Sequence, residues 1–95
     1  MPSEQTRIVL ASILQNIELA EDFCRDLTLD QFLADVQVFY ATTRALEIIS
    51  EASRRLPDGL KDRHPDVSWR AIAGSGNIYR HDYDILVGEV LWQTV

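Results

Sequence analysis

Ninety-five residues, 46% of them hydrophobic, confine this chain to a single domain (residues 1–95) with a modest core. A net charge of −6 argues against a protein that holds nucleic acid by bulk charge alone. Cys24 is the only cysteine, which excludes an intrachain disulfide and any cysteine-built metal framework. A core of this size without staples is expected to be reinforced by oligomerisation. The opening Met1-Pro2-Ser3-Glu4-Gln5 has no basic stretch ahead of an apolar one, unlike a signal peptide. No apolar run approaches the ~20 residues needed to cross a bilayer. The expectation is a cytoplasmic protein with no membrane partner.

From Ile8 to Cys24, Ile8, Ala11, Leu14, Ile17 and Ala20 recur at three- and four-residue spacing, the pattern of one apolar helix stripe. Val9, Leu10, Ile13 and Phe23 widen it. Thr28 followed by Gln31 is a capping-box pattern and marks the next helix start. A second stripe runs through Leu29, Phe32, Leu33, Val36, Phe39, Thr43, Leu46, Ile49, Ala52 and Leu56. With no proline or glycine between Thr28 and Leu56, the pattern predicts one continuous helix roughly 43 Å long. Pro57 and Gly59 end it, and a short helical turn is expected near residues 57–63, stopped by Pro65. Ser68 is a plausible N-cap for a third helix, "WRAIAGSGNIYRH", and Leu86 to Val95 reads as a short fourth. Strand alternation and repeats are absent. The fold class expected is all-α, an antiparallel four-helix up-down bundle.

The charge is uneven. Residues 1–50 hold three arginines against eight acids, whereas residues 54–81 hold six basic side chains against three acids. Any phosphate contact is therefore expected in the second half. That half contains "GSGNIYRHDYD", Gly74 to Asp84, dense in polar chemistry. On a helix Asn77 shares a face with His81, and Arg80 lies about 100° round from His81. An imidazole beside a guanidinium suits a phosphodiester. Histidine moves protons near neutral pH, and arginine holds phosphate oxygens and opposes developing charge. In RNA the ribose 2′-OH is a built-in nucleophile, so no metal or cofactor is strictly required. His64 and His81 are distant in sequence and lack metal-ligand spacing.

Plainer assignments stand beside these. An Arg-His pair near a helix end also compensates the helix dipole. Asn77 reads equally as helix surface, Tyr79 and Tyr83 as core or interface aromatics with a wet hydroxyl, Trp69 and Trp92 as packing anchors, and His64 as a turn residue. Glu51 with Arg54 and Arg55 reads as a solvated face with ion pairs of small worth. Gly74 and Gly76 serve either a tight helix crossing or close approach of a ligand.

"ALEIISEASRRL", "HPDVSWRAIAGSGNIYRHDYD" and "VLWQTV" together resemble the DUF86 or HepT-like branch of the HEPN proteins, from about Arg7 to the last residue. The resemblance implies a small helical bundle that dimerises and acts as a metal-independent ribonuclease. It implies the toxin half of a toxin–antitoxin pair. It also implies a partner, a minimal nucleotidyltransferase of the MNT type, that silences the toxin by adding AMP to a tyrosine. The family motif is Arg, usually followed by Asn, then four to six residues to His-x-Tyr. His81-Asp82-Tyr83 matches its second half and Asn77 the amide, which implies catalytic His81 and Asn77 and AMP-acceptor Tyr83. Gly76 occupies the motif's arginine position. Arg80 stands one turn later on the same face, and helical side chains lean toward the N-terminus, so Arg80 is the expected replacement. The alternative is a binding module, a nucleotidyltransferase-docking subunit whose nuclease site has lapsed at Gly76. Family members usually extend the last helix past the "LWQTV" region, so that helix is expected to be incomplete where this sequence stops.

Overall fold

A computed structural model describes residues 3–74 and 85–95. Every regular element among them is a helix, as the all-α expectation requires. Helix α1 spans Glu4–Cys24, α2 Leu29–Ala34, α3 Val36–Arg54 and α4 Asp58–Asp62. Residues 69–74 form the described part of α5, and α6 spans Ile85–Thr94.

Local chemistry sets most of the boundaries. Ser3 caps α1 by accepting the Thr6 N–H on its Oγ at 3.1 Å. After α1 the chain reverses in a turn closed by Leu27 N–H on the Cys24 carbonyl at 3.2 Å. Asp26 occupies the position of positive φ there, at 63°, where its short polar side chain is better tolerated than most. The Thr28 capping box forms in both directions: Gln31 N–H donates to Thr28 Oγ1 at 3.2 Å, and Thr28 N–H to Gln31 Oε1 at 2.9 Å. Ser68 precedes α5, and its carbonyl accepts the Ile72 N–H at 3.1 Å, as expected of an N-cap position.

The single helix expected from Thr28 to Leu56 is two. Asp35 leaves helical geometry at φ −98°, ψ 98°. Its N–H closes α2 on the Phe32 carbonyl at 3.3 Å, and its Oδ1 accepts the Val38 N–H at 3.0 Å to open α3. An aspartate that can bond the amide three residues on offers the backbone an alternative to the helix ladder. The apolar period runs across the break because both helices bury the same side.

Helices α1 and α3 pack antiparallel along their lengths. Cys24 Sγ lies 3.8 Å from Thr42 Oγ1, Ala20 packs with Ala45 and Leu46, and Val9 packs with Ala52 and Leu56. The stripe expected to bury α1 is largely on its surface: Ile8 is 64% exposed and Leu14 57%, and Ile17 is exposed too. The buried residues are Thr6, Val9, Asn16 and Ala20. Helix α1 is apolar around most of its circumference, so periodicity alone does not choose a face. Helix α3 presents Thr42, Ala45, Ala52 and Ser53, and short side chains on both helices permit the close approach that decides it.

The second core group gathers α2 and α6 on this pair. Phe32 is fully buried, with its ring centroid 5.8 Å from Phe39 and 5.4 Å from Trp92. Leu91 is buried beside it. Trp69 packs on the Val9, Ala52 and Leu56 group and donates its indole N–H to the His64 carbonyl at 3.0 Å. Both tryptophans are thus packing anchors, and exposed His64 is a turn residue. Among the described residues, no helix is long and apolar enough to cross a membrane.

Candidate functional site

Asn77, Arg80, His81 and Tyr83, with Gly76 and Tyr79, lie outside the described residues. The direction of Arg80, which would separate the catalytic from the binding-module reading, lies there too. What the structure places is the platform leading into this stretch.

That platform is built from the last turns of α3 and the start of α5. Ser50 and Arg54 are four residues apart and so stand on neighbouring parts of one face of α3. Both donate to one atom, the Ala73 carbonyl oxygen: Ser50 Oγ at 3.0 Å and Arg54 Nε at 3.2 Å, with Arg54 Nη2 also on it. Ser50 is buried and Ala73 half-buried. Glu51 holds the third guanidinium nitrogen, Arg54 Nη1, at 3.7 Å, and Arg55 Nη2 at 3.6 Å. Arg54 is therefore more than part of a solvated face, because it ties α3 to α5 across 19 residues of sequence. Sequence reasoning missed this tie. The Ser50–Arg54 spacing was visible, but nothing in the sequence names Ala73 as the partner.

About 100° round α3 from Arg54, an open groove of about 190 Å³ runs along the α1–α3 seam. Ser12, Arg44, Ile48, Glu51 and Arg55 are among its lining residues. Its arginines already have carboxylate neighbours, Arg44 with Glu47 at 3.6 Å and Arg55 with Glu51. With Glu47 and Glu51 beside them, these arginines leave the groove with little net charge to hold an anion. A Cβ at Gly74 would meet nothing within 4 Å among the described residues. No group of three or more His, Cys, Asp or Glu converges among the described residues.

Residues 13–95 match the family model described as "Ribonuclease HepT-like". The chain belongs to the HepT-like ribonuclease family. A HepT-like relative in Thermococcus cleftensis, named "Probable ribonuclease HepT", is 41% identical over 86 residues, covering 90% of this chain and 78% of the relative. Two proteins of Methanocaldococcus jannaschii, both named as candidate RNases, align over all of this chain. One is 35% identical with 78% of its own length covered, the other 32% identical with 87% covered. No solved structure matches. In the sequence of the HepT-like chain, Ala73 of this junction precedes Asn77 by four residues and His81 by eight.

Proposed function

We propose that this protein is a metal-independent endoribonuclease and the toxin half of a toxin–antitoxin pair, working as a cytoplasmic homodimer. The observation that carries the reading is the motif His81-Asp82-Tyr83 with Asn77 and Arg80, in a chain matching the HepT-like ribonuclease model over residues 13–95. Cleavage uses the RNA's own 2′-OH. Its oxygen bonds to phosphorus, the bond to the 5′-oxygen breaks, and the products are a 2′,3′-cyclic phosphate and a 5′-hydroxyl. His81 takes the proton from the 2′-OH or delivers one to the leaving oxygen. Arg80 opposes the charge on the phosphorane, and Asn77 orients the phosphate.

The apolar residues left exposed on α1, among them Leu10, Leu14 and Ile17, give a second copy an apolar surface to cover. Tyr83 is the acceptor for AMP from a nucleotidyltransferase antitoxin. The added phosphate would pair with Arg80 and the base would obstruct the RNA groove. Gly76 in the motif's arginine position favours a second reading, a nucleotidyltransferase-docking subunit without nuclease activity.

Cleavage of a labelled RNA in the presence of EDTA separates the two. His81→Ala and Arg80→Ala should each lower the rate by about 10²–10³ while leaving the fold intact. Wild-type protein that cuts no RNA supports the docking subunit, and activity surviving both substitutions removes catalysis from this stretch.

A further inference from the structure

We infer that Arg54, assisted by Ser50, is a positioning residue for the catalytic stretch, fixing α5 at Ala73, eight residues ahead of His81 in sequence. The inference rests on the ribonuclease reading above. Three side-chain donor atoms of α3 meet on one backbone oxygen, Ala73 O. Asn77 follows four residues later in sequence and His81 eight. A carbonyl oxygen has two lone pairs, and these donors occupy it from outside its own helix. Two of the three belong to a charged guanidinium, which makes the contact stronger and more directional than a neutral hydrogen bond.

The occupancy of the guanidinium separates positioning from substrate binding. Nε and Nη2 of Arg54 are on Ala73 O, and Nη1 faces Glu51 at 3.7 Å. The Nε–Nη2 edge of that side chain, the edge that would grip a phosphate side-on, is therefore engaged within the fold. Arg55 differs: among the described residues it has one ion pair, at 3.6 Å, and its side chain is 63% exposed. Glu51 braces Arg54 from its own helix, three residues back, so the carboxylate, the guanidinium and the carbonyl form a chain from α3 into α5. Ser50 reaches the same oxygen from a fully buried position, where a hydroxyl needs a partner. Because α3 holds α5 here through one backbone atom, Ala73 O, loosening that contact frees the part of α5 from which the chain runs on to Asn77 and His81. A small displacement of a catalytic group is enough to lower its rate steeply.

The test measures RNA cleavage and amide hydrogen exchange on the full chain, for wild type, Arg54→Ala, Arg54→Lys and Ser50→Ala. Arg54→Ala should lower kcat about 10–100-fold. KM should stay within about twofold, because no substrate contact is lost. Amides of residues 74–81 should exchange about tenfold faster, with α1 and the first turns of α3 unchanged. Arg54→Lys keeps one charged donor and should recover part of kcat. Ser50→Ala, the gentler variant if Arg54→Ala fails to fold, should shift exchange and kcat the same way by a smaller factor.

Unchanged exchange in both Arg54→Ala and Ser50→Ala overturns the anchor. A rise in KM with a changed salt dependence and unaltered kcat also overturns it, by assigning Arg54 to RNA phosphate. Wild-type protein that cuts no RNA removes the ribonuclease reading, and the exchange measurement then decides the anchor by itself.

Discussion

Replacing Asp35 by alanine tests the architecture by the sign of its effect. If residues 28–56 were one helix, the exposed Asp35 would be a mid-helix residue, and alanine would stabilise by about 0.5 kcal/mol through propensity. In the structure Asp35 is the N-cap of α3, with Oδ1 3.0 Å from the Val38 N–H. Alanine leaves that amide without its cap, a loss of about 1 kcal/mol, within a range of ~0.5–2. Removing a negative charge from the positive end of α3 adds a few tenths of a kcal/mol to the loss, about 0.3 at an exposed site. The side chain is exposed, so no packing term enters. The two architectures therefore differ by about 1.8 kcal/mol and in direction. For a domain of this size, a loss of 1 kcal/mol lowers Tm by about 4–8 °C. Thermal and urea unfolding followed by far-UV circular dichroism would read it, at one fixed protein concentration because self-association makes apparent stability concentration-dependent. A Tm raised by Asp35→Ala would refute the break at residue 35 and restore the long helix.

Phe32 supplies the only fully buried side chain of α2, and Phe32→Ala should cost about 3–5 kcal/mol, against a total near 5–14 kcal/mol for a chain this long. A urea-measured loss below about 1.5 kcal/mol would show that Phe32 does not pin α2 and α6 to the core. Burial pushes the Cys24 thiol above its ordinary pKa, partly opposed by the contact with Thr42. Iodoacetamide should therefore label Cys24 more slowly than a free thiol in mildly alkaline buffer, and equal rates would refute its burial. Since the folded state holds that proton more tightly, the associated stability is present below the ordinary thiol pKa. It is lost as pH rises through the raised one. Co-expression with a cognate nucleotidyltransferase should place the adenylyl mass on the peptide holding Tyr83, and Tyr83→Phe should abolish it. The mass on Tyr40 or Tyr79, with Tyr83 untouched, would sink the assignment.

The sequence by itself determined what short-range chemistry controls. The Thr28–Gln31 box, the Ser68 start and the turn between Pro57 and Pro65 each depend on residues a few positions apart, so their partners are written beside them. The resemblance to the HepT-like family was likewise legible in the sequence, and the family match over residues 13–95 bears it out. Asp35 sat at the limit of this kind of reading. Its cap is local, but the apolar period continues across it and hides the break, because α2 and α3 bury a common side. Two further features required the tertiary structure. Helix α1 carries apolar side chains nearly all round, and only the small residues presented by α3 select Val9 and Ala20 over Ile8 and Leu14. The convergence of Ser50 and Arg54 on Ala73 spans 23 and 19 residues. A backbone carbonyl offers the same acceptor at every position, so only the packing of α5 on α3 decides which one these donors reach.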